Sequence, residues 1–288
     1  MTLKAWKICL AQTETLKPHE QSLPYFVAKL REEIKKDKCV IHPVIVDAAT
    51  GLVVDGTHRV EAALKLRIPR IPVYTVDYFS EKVELHGWGR AVTKKITMET
   101  LTSLIKSFGF SFENISSQPY AVKFLWSDGV SKQIYVEDSD IPATYSKINL
   151  LEKQLQQLGI KYVRDKDLEQ LVLTAEYPFG YMIRQLTKKE VLESVLDDYR
   201  LPPKSTRHVV EDRPMFIFCP VDILYSDDAD ERFAEWLDEG TWIDVPPGVE
   251  LDRKYDEKTK VFFREELRSR YPTTLMDYFK AASEQKIR

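Results

Sequence analysis

The stretch Leu52-Val53-Val54-Asp55-Gly56-Thr57-His58-Arg59 decides which fold we expect, because an apolar run ends there and a helical pattern begins. Three aliphatic residues in a row predict a short buried strand, and Asp55-Gly56 breaks that strand. The following pattern predicts a helix from Thr57 to about Leu66. Residues Asp55 to Arg59, which carry most of the chemistry, are therefore expected at a strand-to-helix corner.

Apolar patterns on both sides of this corner predict a compact mixed α/β unit. Apolar side chains recur at helical spacing from about Leu23 to Lys36, which predicts a helix. Short aliphatic runs at Pro43–Val46 and Ile71–Val76 predict two more strands. We expect a first domain at residues 1–95.

Two further parts are expected, a second α+β domain at residues 96–225 and a mostly helical C-terminal extension at 226–288. The elements predicted for the second domain are a helix at Met98–Phe108, a hairpin of Ala121–Trp126 with Lys132–Val136, a helix at Thr144–Leu158, a hairpin of Leu171–Ala175 with Tyr181–Leu186, a helix from Thr187 to about Tyr199, and a strand at Met215–Cys219. Helices are predicted in the extension at Ala229–Leu237, Phe262–Arg270 and Leu275–Ala282.

Composition and charge argue against several classes of protein. The 288 residues include 42 basic and 45 acidic side chains, for a net charge of −3, whereas nucleic-acid binders usually carry a basic face. No apolar run approaches the ~18 residues that span a bilayer, and the first residues are too polar for a secretory signal. The isolated Cys9, Cys39 and Cys219 predict neither a disulfide framework nor a zinc site. We expect a cytoplasmic monomer or small homo-oligomer without a nucleic-acid or membrane partner.

The corner around Asp55 has the features of an anion site. Gly56 lets the backbone approach a ligand, and the next helix begins with unpaired N–H groups and a partial positive charge, a combination that binds phosphate. His58 and Arg59 in the first turn add donors. Asp55 would repel phosphate unless it binds Mg²⁺ or takes part in proton transfer. A turn in which Asp55 caps the helix and the basic side chains face solvent fits the same residues.

Two other clusters combine charges with hydroxyl groups. Lys17-Pro18-His19-Glu20-Gln21 has Glu20 just before a helix, either as a general base or as an ordinary first-turn carboxylate. Pro203-Lys204-Ser205-Thr206-Arg207-His208 supplies consecutive donors, either to a polyphosphate or as a solvated basic linker. Walker A, GxGxxG and HExxH sequences are absent, which removes the commoner nucleotide and metalloprotease hypotheses.

Taken together, the three clusters resemble one family. Asp55–Arg59 is similar to the phosphate motif of the ParB/sulfiredoxin superfamily, and the segments around Glu20 and Lys204–His208 are similar to those of archaeal SerK-type, ADP-dependent free L-serine kinases. Asp77-Tyr78-Phe79 and Trp88 fit the same pattern. The resemblance covers about residues 10–225 and implies a ParB/sulfiredoxin-like, nucleotide-binding N-terminal domain with a second domain closing over the site. Thr57 stands where sulfiredoxin needs a cysteine, so sulfinate reduction is not implied.

The resemblance also implies a reaction. ADP or ATP donates a phosphoryl group to the hydroxyl of L-serine, with Mg²⁺, to give O-phospho-L-serine, which serves either cysteine biosynthesis or serine breakdown. Glu20 is implied as the general base and Asp55 as the second catalytic carboxylate and a Mg²⁺ ligand, while Trp88 and His19 bind the substrate. The implied phosphate-binding residues are Gly56, Thr57, His58, Arg59, Lys204, Ser205, Thr206, Arg207 and His208.

Two other functions fit the same residues. A ParB-like regulator would bind nucleotide through Asp55–Arg59 without turning over serine, although no basic helix-turn-helix for reading DNA is evident. A kinase of the same fold acting on another small alcohol is also compatible with the sequence. The preferred hypothesis is the serine kinase, with the donor nucleotide left open.

Overall fold

The computed structural model describes residues 6–113, 119–136 and 140–286, with side chains described up to residue 281. The chain forms two units, which we call the first unit (Met1–Glu84 with His208–Arg288) and the second unit (Leu85–Arg207). These ranges differ from the expected division at residues 95 and 225. The C-terminal residues form part of the first unit, because their strands pair with the segment that follows His208.

Short strands and helices are interspersed along the chain. The strands are β1 (Lys7–Gln12), β2 (Lys17–Pro18), β3 (Cys39–Val40), β4 (Val44–Asp47), β5 (Leu52–Asp55), β6 (Arg70–Val76), β7 (Val83–His86), β8 (Trp88–Val92), β9 (Val122–Trp126), β10 (Ser131–Ile134), β11 (Ile160–Arg164), β12 (Phe179–Ile183), β13 (Arg207–Val210), β14 (Arg213–Met215), β15 (Cys219–Pro220), β16 (Thr241–Val245) and β17 (Thr259–Phe263). The helices are α1 (Pro24–Asp37), α2 (Thr57–Lys65), α3 (Met98–Ser107), α4 (Ile141–Leu155), α5 (Asp165–Leu173), α6 (Lys188–Leu196), α7 (Val221–Tyr225), α8 (Ala229–Asp238) and α9 (Met276–Lys286).

A mixed five-stranded sheet with the order β1-β6-β4-β5-β2 is the centre of the first unit. β6 pairs with β4, and β5 with β2, in parallel, whereas β1 with β6 and β4 with β5 are antiparallel. Val44, Val46, Val53, Ile71 and Val73 are 0% exposed within the core cluster that this sheet shares with its helices. Burying one such side chain contributes roughly 1.5–3 kcal/mol, so the aliphatic runs fold as the predicted strands.

α1 and α2 follow from local signals in the sequence. Pro24 occupies the first turn of α1, where its missing N–H costs nothing. Val27 and Ile34, seven residues apart, lie on the buried face of α1, which is the spacing of two helical turns. Lys38 ends this helix in the left-handed conformation, with φ of 51°. Both predicted helices of this region are confirmed.

The C-terminal part of the first unit is less helical than predicted. β14, β17 and β16 form a three-stranded sheet in that order, and β17 occupies the start of the stretch predicted as a helix at Phe262–Arg270. That prediction is wrong, because the β-branched and aromatic residues of β17 pair with β16, and only a 3-10 turn follows at Glu265–Arg270. The helices predicted near Ala229 and Leu275 are confirmed as α8 and α9.

The second unit is built on an antiparallel five-stranded sheet with the order β10-β9-β12-β8-β11. The predicted strand at Leu171–Ala175 is wrong, because this stretch forms the end of α5 and the turn after it. Leu168 and Val172, four residues apart, are both buried against the sheet, so helical spacing decided the local structure. The helix predicted from Thr187 is confirmed as α6, which opens with a capping box of Thr187 and Glu190. In the described ranges, none of the helices has the length and apolarity needed to cross a bilayer.

Candidate active site

The strand-to-helix corner predicted around Asp55 is present. β5 ends at Asp55, Gly56 is the N-cap residue with φ of 113°, and α2 begins at Thr57. A Cβ atom at Gly56 would lie 2.9 Å from Nη2 of Arg59 and 3.1 Å from Cγ1 of Val44, and φ is left-handed, so glycine is required here. Gly56, the N-cap residue, has no side chain with which to cap α2. The N–H of Arg59 donates to the carbonyl of Gly56 over 2.8 Å, so the N–H groups of Thr57 and His58, ahead of it, are of the kind that bind an anion at a helix start.

Strand pairing places the segment that carries Glu20 next to the strand that ends at this corner. Lys17 pairs with Leu52, and Pro18 with Val53, in a parallel register. Glu20 and Asp55, each two residues beyond Pro18 and Val53, therefore lie at the same edge of the sheet on neighbouring chain segments. Parallel neighbours lie about 4.8 Å apart, so Glu20 and Asp55 follow strands that lie side by side.

His19 fixes the segment that carries Glu20. Its Nδ1 lies 2.7 Å from the carbonyl oxygen of Val53, and because a carbonyl only accepts, Nδ1 carries the proton. Nε2 on the other side of the ring lies 3.9 Å from Oε1 of Glu20. The imidazole is 3% exposed. His19 is thus a buried link between the Glu20 segment and β5.

His208 lies beside His19 within the first unit. The two rings meet edge to face, with centroids 5.2 Å apart and planes at 88°. Nε2 of His208 is 3.0 Å from the hydroxyl of Tyr78, which is 0% exposed. Burial, assisted by the nearby carboxylate of Asp47, raises the pKa of Tyr78, so the phenol keeps its proton at neutral pH. His208 is therefore held by a hydroxyl that can donate to it.

Arg59 and His58 make different contacts although they are neighbours in α2. Arg59 donates from Nη1 to the carbonyl of Pro43 over 2.8 Å and from Nη2 to Oδ2 of Asp55 over 3.3 Å. Nε2 of His58 accepts a 3.0 Å hydrogen bond from the backbone N–H of Leu23, at the start of α1. His58 is an acceptor at this nitrogen, so it would have to release Leu23 to donate to phosphate through Nε2.

Arg213 is a buried cation at Asp55 that the sequence did not reveal. It is 3% exposed and donates from Nη1 to Oδ2 of Asp55 over 2.5 Å and from Nε to Oε1 of Glu257 over 2.6 Å. Burial alone would raise the pKa of Asp55, but the guanidinium groups of Arg213 and Arg59 outweigh burial and hold that pKa well below its usual range. Asp55 is therefore ionised at neutral pH.

The remaining predicted residues form a cluster in the second unit. Trp88 donates from Nε1 to the carbonyl of Thr206 over 2.8 Å, and the ammonium of Lys204 lies 4.3 Å from the centre of the Trp88 ring. Arg90, 1% exposed and paired with Glu152 at 2.6 Å, donates to the carbonyl of Lys204 over 3.0 Å. The backbone after Pro203 is therefore held by conventional hydrogen bonds and is not a free linker.

Ser205 and Arg207 extend this cluster. The hydroxyl of Ser205 donates to the carbonyl of Pro202 over 2.7 Å. Arg207 donates from Nη2 to Oδ1 of Asp165 over 3.3 Å, and Oδ2 of Asp165 accepts from the backbone N–H of Gly87 over 3.2 Å. His208 is assigned to the first unit, so the predicted donor run Lys204–His208 is divided between the two units after Arg207.

A metal site is not preformed in the described residues, where no group of three or more His, Cys, Asp or Glu side chains is arranged to hold an ion. Asp55 uses Oδ2 for two guanidinium groups, although its side chain is 34% exposed. The donor set fits Mg²⁺ only if phosphate oxygens and water supply most ligands, which is the usual way that nucleotide-bound Mg²⁺ is held.

Comparison with known proteins finds similar proteins that match two thirds or more of the chain. No protein family model matches. A ParB-like protein of Sulfolobus acidocaldarius is 29% identical over 67% of this chain and 86% of that protein. An ATP-dependent L-serine kinase of Staphylothermus marinus is 29% identical over 75% of this chain and 90% of the relative. The ADP-dependent L-serine kinase SerK of Thermococcus kodakarensis is 24% identical over 74% of this chain and 91% of the relative.

Solved structures agree with the expected fold class. A free serine kinase in complex with AMP matches with a TM-score of 0.62 at 22% identity, covering 78% of this chain and 96% of that one. The mixed α/β fold predicted from the sequence is thereby confirmed. The chain has the fold of that free serine kinase, and it is a homologue of proteins named ATP- and ADP-dependent L-serine kinases.

Proposed function

We propose that this protein is a kinase that transfers a phosphoryl group from an adenine nucleotide to the hydroxyl of free L-serine. The observation that supports this most is the parallel register of β2 with β5, because Glu20 follows β2 by two residues and Asp55 ends β5 beside the glycine that precedes α2. A base, a helix start and a fixed carboxylate are parts that phosphoryl transfer to an alcohol uses. The names of the kinase relatives support the same reaction.

In the proposed reaction, Glu20 accepts the proton of the serine hydroxyl while the serine Oγ attacks the terminal phosphorus. A P–O bond forms to serine, and the bond from that phosphorus to the bridging oxygen breaks. The leaving nucleotide takes the electron pair, so ADP gives AMP and ATP gives ADP. Little covalent chemistry is required of the protein, whose task is to position the reactants and neutralise charge.

In the first unit, the phosphate groups are proposed to bind at the start of α2. The backbone N–H groups after Gly56 and the hydroxyl of Thr57 are donors at the helix start, and His58, Arg59 and His208 are the proposed side-chain donors of the first unit. Lys204, Ser205, Thr206 and Arg207 are the proposed donors of the second unit. His19 and Trp88 are proposed to contact serine.

Mg²⁺ is the proposed companion of the nucleotide, with Asp55 as its protein ligand. The partial exposure of Asp55 and its ionised state support this role. When bound, the ion would neutralise charge on the transferred phosphoryl group. Arg59 and Arg213 would keep the carboxylate of Asp55 fixed whether or not the ion is present.

The experiment that tests the function follows both products. Purified protein is incubated with L-serine, Mg²⁺ and either ADP or ATP, and phosphorus NMR identifies O-phosphoserine together with AMP or ADP. Formation of phosphoserine supports the proposal, and the donor that gives faster turnover settles the choice between ADP and ATP. Threonine, homoserine and inositol in parallel test acceptance of other alcohols. Nucleotide binding without any phosphorylated alcohol would instead favour the regulator hypothesis.

A further inference from the structure

Arg213 connects the candidate catalytic carboxylate to the C-terminal part of the chain. Its Nη1 donates to Asp55 over 2.5 Å, and its Nε donates to Glu257 over 2.6 Å. Glu257 comes shortly before β17, in the region for which sequence reasoning gave no role. The side chains of Asp55 and Glu257 are thus joined through one guanidinium group.

The guanidinium of Arg213 and the carboxylate of Glu257 are both deeply buried. Arg213 is 3% exposed and Glu257 is 8% exposed, and a buried charge is tolerated when it is paired and hydrogen-bonded. Glu257 also lies 3.5 Å from the backbone N–H of Val210, and Nη2 of Arg213 lies 3.4 Å from the carbonyl of His208. Both of these contacts are longer than the 2.6 Å bond between Arg213 and Glu257. Glu257 is therefore the principal anchor of the guanidinium on the side away from Asp55.

Backbone pairing makes this anchor rigid. Arg213 opens β14 and pairs in parallel with Thr259 of β17, two residues after Glu257. The ring of Tyr255 lies 5.3 Å from Cζ of Arg213. The guanidinium is consequently fixed by an ion pair, an aromatic ring and a sheet, which keeps Nη1 beside Asp55.

We propose that Glu257 is a positioning residue for the reaction. By holding Nε of Arg213, it orients Nη1 so that the carboxylate of Asp55 stays in its working position. The kinetic part of this proposal rests on the proposed kinase function, whereas the positioning of Asp55 does not. The C-terminal part of the chain thereby has a role in the site, since it supplies Glu257, which fixes Asp55 through Arg213.

Kinetics of Glu257→Gln test the proposal against a matched control. Glutamine keeps an oxygen that can accept from Nε but removes the charge, so we expect kcat to fall by about tenfold while KM for the nucleotide changes little, because displacement of about 1 Å can cost ~10² in rate. Glu257→Asp, which keeps the charge, should recover part of the loss. The control is Glu265→Gln, a carboxylate of the same region that is 67% exposed and paired with Arg268. Its kinetics should equal those of the wild type.

A double-mutant cycle separates positioning from general damage. If Glu257 acts through Arg213, adding Glu257→Gln to Arg213→Gln should lower kcat no further, because the connection is already broken. Losses that multiply in the double variant would overturn the proposal, as would wild-type kcat in Glu257→Gln. Thermal melting of each variant checks that it folds. If Glu257→Gln does not fold, Glu257→Asp takes its place in the cycle.

The carboxyl carbon-13 resonance of Asp55 provides a readout that needs no turnover. We expect it to move in Glu257→Gln and to stay in place in Glu265→Gln. If the wild type makes no phosphoserine but the resonance moves, the kinase function fails and the positioning stands. If phosphoserine forms but the resonance is unchanged in Glu257→Gln, the positioning fails and the kinase function stands.

Discussion

His19 donates from Nδ1 to the carbonyl oxygen of Val53 over 2.7 Å, and this bond ties the segment that carries Glu20 to the strand that ends at Asp55. Nε2, on the opposite side of the ring, lies 3.9 Å from the carboxylate of Glu20. Glu20 is thereby placed at the corner by a buried side chain as well as by strand pairing. If Glu20 is the base of the proposed reaction, a fixed position is what proton transfer in the transition state requires.

Glu20→Gln should lower kcat by about a hundredfold or more, because a general base contributes roughly 10²–10⁴ in rate. Affinity for the nucleotide should be unchanged, since the substitution removes a proton acceptor and adds no charge that repels phosphate. Initial rates of AMP or ADP formation, with calorimetric nucleotide titration, measure the two effects. Glu33→Gln, on α1 and paired with Lys29 at the surface, is the control. Near-wild-type turnover of Glu20→Gln would remove Glu20 as the base.

Gly56→Ala should destabilise the first unit by roughly 1–3 kcal/mol, because alanine would adopt a left-handed φ and would also press on the guanidinium of Arg59. Urea unfolding gives the free energy. Gly248→Ala is the matched control, since Gly248 has φ of 84° in the same unit but a Cβ atom added there would meet nothing within 4 Å. A loss for Gly56→Ala no larger than that for Gly248→Ala would show that the contact with Arg59 carries no cost.

The sequence predicted the strand-to-helix corner at Asp55 but not the side chains that surround Asp55. The reason is that those side chains come from residues far from Asp55 along the chain. The run Leu52–Val54, the break at Asp55-Gly56 and the helix after it are local signals, so pattern and turn chemistry were sufficient. Arg213 lies 158 residues from Asp55 and 44 from Glu257 along the chain, and only folding brings these three side chains together. One feature of the sequence could have indicated the role of Arg213, namely its position directly before the apolar run Pro214–Cys219. A cation next to a buried segment needs a buried partner of opposite charge.

Tertiary contacts also explain two of the wrong assignments of secondary structure. Leu171–Ala175 resembles a strand by composition, yet Leu168 and Val172 meet the sheet at helical spacing. Phe262 and Phe263 fit a helical pattern, yet β16 offers a pairing partner. In both places the elements packed alongside, which a local pattern does not contain, decided the outcome.

Stability should depend on pH through His42. Burial lowers the pKa of His42 to about 4, the nearby guanidinium groups of Arg59 and Arg213 act in the same direction, and the carboxylates of Asp252 and Asp55 oppose it. Nδ1 of His42 accepts from the backbone N–H of Phe216 over 3.1 Å, which requires an unprotonated nitrogen. The unfolded chain takes up a proton near pH ~6.5, so the stabilisation is complete above that pH and is lost as the pH falls toward 4.

His42→Asn tests this dependence, because asparagine keeps an acceptor for Phe216 without titrating. We expect the wild type to lose up to ~1.4 kcal/mol per pH unit across this window relative to the variant. Urea unfolding at several pH values between about 7 and 4 measures the difference, and His86→Asn in the second unit is the control. Parallel curves for wild type and His42→Asn would contradict the prediction.

Lys204→Gln should weaken ADP binding by about tenfold or more if Lys204 binds phosphate, because a charge-assisted hydrogen bond contributes roughly 1.5–3 kcal/mol. Binding of adenosine, which has no phosphate, should not change. Lys161→Gln is the matched control, since its ammonium also lies over an aromatic ring of the second unit, 5.7 Å from the centre of Tyr177. Calorimetric titration at constant salt measures all three proteins. Equal binding of ADP to wild type and Lys204→Gln, together with a change in the fluorescence of Trp88, would contradict the prediction. The ammonium of Lys204 would then only pack against the Trp88 ring, and the residues that bind phosphate would belong to the first unit.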